Sequence, residues 1–141
     1  MTRIEAAVRA SESVHGGEVV VAIECRIPLA AVWQGVTAED RAEATFSDLR
    51  VWDTEANNGV LLYLLLAEHA VVLRVDRGVA ASTSQSDWDL IVSRVRQGFA
   101  AEDPVGGVVS AVEAIGELLR ATHPENGGGL NLRPDRPVLI R

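Results

Sequence analysis

The sequence predicts an α/β fold: a three-layer α/β/α sandwich on a short mixed sheet, with a parallel βαβ unit, a hairpin and about four helices. Three observations lead there. Glu18 to Glu24, EVVVAIE, is β-branched and almost wholly apolar, the composition of a strand covered on both faces. Val60 to Ala67 is an unbroken apolar run that reverses over Ala67 to Ala70 into VVLRV, a hairpin. Apolar residues at helical spacing flank both segments.

In chain order, Thr2 followed by Glu5 reads as a capping box, and Ile4, Ala7, Val8, Ser11 and Val14 form one stripe of a helix running to about His15. Gly16-Gly17 ends it before the first strand. Pro28 to Gly35 is an untyped connection in which Leu29, Val32 and Trp33 can pack as a short apolar turn. Thr37 caps a second helix that carries Ala42, Phe46 and Leu49 inward, and strand, helix, strand then makes a parallel crossover. After the hairpin, Ser86 with Asp89 caps a third helix bearing Trp88, Ile91, Val95 and Phe99. Asp103-Pro104 opens a fourth with Val105, Val108, Val109, Val112, Ile115 and Leu119 inward, ending near His123-Pro124. Residues 1–124 thus read as one domain and 125–141 as a flexible, extended tail.

Composition excludes several functions. The net charge of −7 argues against a phosphate-backbone surface, so no nucleic-acid partner is expected. All 13 basic residues are Arg, and without Lys there is neither a P-loop lysine nor a Schiff base, so neither nucleotide nor pyridoxal phosphate is expected. Cys25 stands alone, so it has no intrachain disulfide partner, and its reading is a buried structural thiol. No signal-like start and no run of membrane-spanning length is visible. The cytoplasm is therefore the expected compartment, with peripheral attachment to a membrane as the alternative.

Chemistry concentrates where the strand order would bring three segments to one sheet edge. With the first two strands parallel and the third antiparallel, His15, Glu18, Asp53, Glu55, Asn57, Asn58, Asp76 and Arg77 converge. Asp53, Glu55 and Asn57 place hard oxygen ligands at alternate positions, as in the first half of a calcium loop, but Leu64 stands where the closing Glu would be. A cation there would need Asp76 or Glu18, giving Asp53, Glu55, Asp76 and Glu18 as the metal set. The competing reading has Asp and Asn satisfying turn backbone. Asn57, Asn58 and Arg77 are the ligand-binding candidates, Arg77 as a bidentate clamp or as a surface ion pair with Asp76. His15 is an acid–base candidate or a complement to a helix dipole. At the opposite edge, Glu24, Cys25, Arg26, Glu68 and His69 form a second candidate.

The segments His15-Gly16-Gly17-Glu18, RVWDTEANNGVLLYLLLAE from Arg50 to Glu68, and Asp76-Arg77-Gly78-Val79 resemble the TPM-domain family, in its bacterial soluble branch. The family takes in a thylakoid acid phosphatase, a photosystem II repair protein and YgcG-like bacterial members. The resemblance implies the TPM fold, and it links the chain to acid phosphatase activity and to calcium binding. It implies a non-catalytic binding or accessory module with a site for Ca2+ or another divalent cation, working with a membrane-associated protein partner. The alternative is a slow phosphomonoesterase with Asp53, Asp76 and Arg77 as its catalytic candidates.

Overall fold

The computed structural model describes residues 2–12, 18–49, 59–122 and 138–140. β1 (Glu18–Glu24) and β2 (Gly59–Leu65) pair in parallel, Glu18 opposite Gly59 and Glu24 opposite Leu65. A 3-10 turn at Leu66–Glu68 reverses the chain into β3 (Ala70–Val75), antiparallel to β2 with Val60 opposite Val75. His69 completes that reversal in the left-handed region at φ 49°, which costs a non-glycine residue on the order of 1–2 kcal/mol. β4 (Val138–Ile140) lies parallel to β1, and the sheet order is β3-β2-β1-β4.

The helices are α1 (Thr2–Glu12), α2 (Leu29–Trp33), α3 (Ala38–Asp48), α4 (Arg77–Ala80), α5 (Gln85–Ala100) and α6 (Pro104–Thr122). Every residue of β2 is buried, so both of its faces need a cover. Side chains alternate across a strand. Val19, Val21, Val60, Leu62 and Leu64 therefore meet a layer made by α1, α5 and α6. Val20, Ala22, Leu61, Tyr63 and Leu65 meet α3 through Ala38, Ala42, Phe46 and Leu49. Each buried aliphatic side chain contributes roughly 1.5–3 kcal/mol, so burial in these two cores is the main source of the fold's stability.

Of the expected caps, those at Thr37 and Asp103 form, that of α5 is shifted, and Thr2, read as the cap of α1, is instead its first helical residue. Thr37 Oγ1 accepts from Asp40 N at 3.2 Å and Thr37 N donates to Asp40 Oδ2 at 2.9 Å, bonds that hold the Asp40 carboxyl below the ordinary carboxylate range. The cap of α5 is Ser84 with Asp87, not Ser86 with Asp89, because α4 and its following turn occupy residues 77–83 and α5 starts directly after them, two residues earlier than expected. Asp103 Oδ1 accepts from Gly106 N at 3.1 Å ahead of Pro104, as expected.

Two packing expectations are corrected. Leu29, Val32 and Trp33 do not pack as an apolar turn. They sit on α2 with 73%, 51% and 83% of their surface exposed, because five helical residues hung between Ile27 and Gly35 present no buried face. Cys25 is exposed rather than buried, since it follows the last residue of β1, where its carbonyl accepts from Ala67 N at 2.9 Å. In the expected tail, residues 125–137 lie outside the described residues, and Val138–Ile140 is extended and docked on β1.

α5 and α6 cross at two glycines. A β-carbon on Gly98 would lie 2.6 Å from Gly107 Cα, and one on Gly107 would lie 2.8 Å from Gly98 Cα. Backbone meets backbone there, so neither side can yield cheaply. Gly98→Ala is expected to lower the melting temperature by several degrees, a loss on the order of 1–3 kcal/mol from overpacking. It should do so even though alanine is the better helix former by about 1 kcal/mol. Thermal unfolding followed by circular dichroism checks this, and an unchanged melting temperature would mean that the helices can separate freely.

Candidate functional site

At one end of the sheet the starts of β1 and β2 meet the end of β3. Glu18 is opposite Gly59, and Asp76, just beyond β3, donates its N–H to Gly59 O at 2.9 Å. By the strand alternation Glu18, Gly59 and Asp76 share the face that carries Val20, Leu61 and Val72. The two acidic residues flank a position with no side chain, with α-carbons two strand spacings apart, about 10 Å. Both are buried, Glu18 at 9% and Asp76 at 8% exposure.

Asp76 is only half satisfied. Its Oδ1 accepts from Arg77 N at 2.8 Å and caps α4, while its buried Oδ2 has no hydrogen-bond partner among the described residues. Leaving a buried polar atom unmatched costs about 1–3 kcal/mol, and more when it is charged. Arg77 is exposed at the same edge, and Asp76 binds its backbone N–H in place of the surface ion pair that was one reading of the two residues. Of the residues expected to converge here, the fold brings Glu18, Asp76 and Arg77 together. His15, Asp53, Glu55, Asn57 and Asn58 lie outside the described residues. Among the described residues no three His, Cys, Asp or Glu side chains group closely enough to hold a metal ion.

At the opposite end, Glu24 is 2% exposed and is a structural residue. Arg41 of α3 grips its carboxylate with two bonds, Nε to Oε1 at 3.0 Å and Nη2 to Oε2 at 2.7 Å, and Tyr63 OH donates to Oε1. Burial alone would raise the Glu24 pKa, but the Arg41 and Tyr63 hydrogen bonds and the Arg41 charge outweigh it and hold the carboxyl below its ordinary range. Burial, then Glu24 beside it, pushes the Tyr63 phenol well above its usual value. Sequence reasoning singled out neither Arg41 nor Tyr63. The available signal was the register: Glu24 stands opposite Leu65, two residues from the chain's one Tyr on the same strand face. Of the other residues proposed there, Cys25, Arg26 and Glu68 are exposed, and His69 stacks on Phe99 with ring centroids 4.7 Å apart.

The TPM-domain family model matches residues 1–118. Three solved structures resemble the fold. The BA42 protein of the psychrophilic bacterium Bizionia argentinensis superposes with a TM-score of 0.87 at 24% identity, over 99% of this chain and 91% of that one. The N-terminal domain of a protein from P. gingivalis gives 0.68 at 22% identity, over 85% and 74%. The N-terminal domain of cg2496 from Corynebacterium glutamicum gives 0.62 at 15% identity, over 91% and 74%. At these identities the likeness is one of fold alone. No curated protein matches the chain.

The Glu24 cluster generates a pH-linked expectation. Folding lowers the Glu24 pKa, so the stability it contributes is complete above the ordinary glutamate value and is lost as the pH falls through the lowered one. Urea titrations at decreasing pH should lose stability more steeply in the native protein than in Glu24→Gln. Equal slopes would assign the acid sensitivity to other carboxylates. Arg41→Ala, which leaves Glu24 buried with Tyr63 alone, should cost on the order of 3 kcal/mol at neutral pH.

Proposed function

The chain belongs to the TPM-domain family, and from that premise we propose that it is a non-catalytic binding module whose ligand-responsive element is a divalent-cation site at the Glu18–Asp76 edge. The observation that carries this reading is Asp76 Oδ2, a buried carboxylate oxygen with no hydrogen-bond partner among the described residues. A hard cation compensates such an oxygen, and carboxylates with carbonyls suit Ca2+ or Mg2+. Glu18 lies buried on the same face, and Asp53, Glu55 and Asn57 run in sequence directly into Gly59 between them. The donor chemistry fits, and Asp76 with Glu18 would hold the ion, Asp53 and Glu55 completing the set. Bound there, the cation would neutralise buried charge and fix the loop that enters β2.

A module of this kind acts through a partner. Leu29, Val32 and Trp33 at the far end of the sheet offer one an exposed apolar surface, in a stretch from Cys25 to Thr37 that contains no acidic residue. No described helix is long and apolar enough to cross a membrane, and the partner this reading takes is a membrane-associated protein. The second reading, a slow phosphomonoesterase, is favoured by Arg77 alone. Its exposed guanidinium at the cation edge suits a phosphate oxygen.

The melting temperature measured in EDTA, calcium, magnesium and manganese tests the site. A ligand that binds only the folded chain stabilises it by about 2.7 kcal/mol at a hundredfold excess over Kd. Asp76→Asn keeps a side chain that caps a helix as well as Asp does and removes the uncompensated charge. It is expected to melt higher than the native protein in EDTA and to lose the response to cations. A response of the same size in the variant and the native protein would place any cation elsewhere. An acid-phosphatase assay of native protein and Arg77→Ala then separates the readings: turnover lost in the variant would establish the enzyme.

A further inference from the structure

β3 is an edge strand, and the direction of its free backbone groups follows from one bond. Because Asp76 N donates to Gly59 O, that pair is hydrogen-bonded, and so at every second step are 74 with 61 and 72 with 63. Val71, Leu73 and Val75 therefore turn their N–H and C=O groups away from β2. The Leu73 carbonyl shows it, its one contact being a long 3.5 Å bond from the Arg74 guanidinium. Along this edge runs a cavity of about 540 Å³ walled by Glu39 of α3 on one side and by Trp88, Asp89, Val92 and Arg96 of α5 on the other.

The geometry points to a peptide-binding groove in which an extended segment of a partner protein adds to the sheet as a fifth strand, antiparallel to β3. From Val71 to Val75 the edge offers about 16 Å of unpaired strand. Val71, Leu73 and Val75 face the α5 side, where Trp88 and Val92 give alternate peptide side chains an apolar seat, while Arg74 and Glu39 on the other side suit polar ones. His69 stacks on Phe99, so the end of α5 lies beside the start of β3 and the helix runs against the strand. Arg96 is then at the Val71 end and Asp89 at the Val75 end. A strand antiparallel to β3 brings its carboxy-terminal half to Arg96, and Arg96 also lines the adjoining hollow with His69 and Phe99. The fitting ligand is an extended segment of alternating apolar and polar residues with acidic residues at its C-terminal end. A second copy does not fit, because its own β3 is recessed between the same two helices.

The test uses the full chain, isotopically labelled, with the capped peptide TVTVTVEE and its counterparts TVTPTVEE and TVTVTVRR. In the free protein the amides of Val71, Leu73 and Val75 should exchange fast beside slow ones at Val72 and Arg74, at every protein concentration. TVTVTVEE should bind saturably and slow the three fast amides at least tenfold, and the proline peptide should not. Arg96 is exposed, so Arg96→Glu should keep its melting temperature, weaken TVTVTVEE at least tenfold and improve TVTVTVRR. Slow exchange at the three amides in free protein, protection that grows with protein concentration, or peptide binding indifferent to proline and to Arg96→Glu would each overturn the proposal. None of these outcomes touches the cation site, which lies at the end of the sheet, away from this lateral groove.

Discussion

The constraint on which the rest depends is the complete burial of β2. Seven consecutive residues, GVLLYLL, are buried, and a strand in that state needs a neighbour on each side and a layer on each face. β1 and β3 supply the neighbours, and α3 on one face and α1, α5 and α6 on the other supply the layers. The strand also sets a polar requirement. Tyr63 is fully buried within it, and a phenol hydroxyl left unmatched in such a core would cancel about as much as one aliphatic side chain contributes. Glu24 accepts from it, and Glu24, being charged, in turn needs Arg41. One apolar strand thus explains why a buried ionic cluster stands at this end of the sheet.

The two ends of the sheet present the same problem solved in opposite ways. Glu24 and Asp76 are buried carboxylates on the same sheet face. Glu24 has both oxygens bonded, one of them twice, by a guanidinium and a phenol. Asp76 spends one oxygen on the start of α4 and has no described partner for the other. A fully matched carboxylate has little left to offer a ligand, whereas a half-matched one gains from any cation that reaches it. This contrast, more than the acidity of the surrounding sequence, singles out the Gly59 edge.

Much of this was legible from the residues. EVVVAIE and GVLLYLL are long enough and apolar enough to admit one reading, and the parallel pairing with a return hairpin follows from the helix between them and the short turn after them. The candidate edge follows from that topology, which by itself groups Glu18, Asp76 and Arg77. What the sequence did not show depends on tertiary context. Cys25 is one residue past a buried Glu24, and no pattern says at which residue a strand leaves its sheet. Val138–Ile140 is too short to signal a strand and becomes one because β1 has a free side. α4 is four residues long, below what periodicity detects, and its presence moves the cap of α5 from Ser86 to Ser84.

The sheet treats its two edges unequally. An open edge is a template for unwanted pairing, and proteins blunt such edges with charge, proline or a covering segment. On one side the edge is β4, only three residues long and laid along β1. β3 carries no proline and, in a chain without lysine, one charged residue, Arg74, whose guanidinium reaches only its neighbour's carbonyl at 3.5 Å. The helices α3 and α5 do the blunting instead: they stand on either side and hinder the approach of another folded edge, yet they leave a cavity of about 540 Å³ along the strand. Protection by recess differs from protection by charge in what it admits. It disfavours sheets and admits single extended chains, so the recess that guards the edge against pairing is also what selects the shape of a ligand.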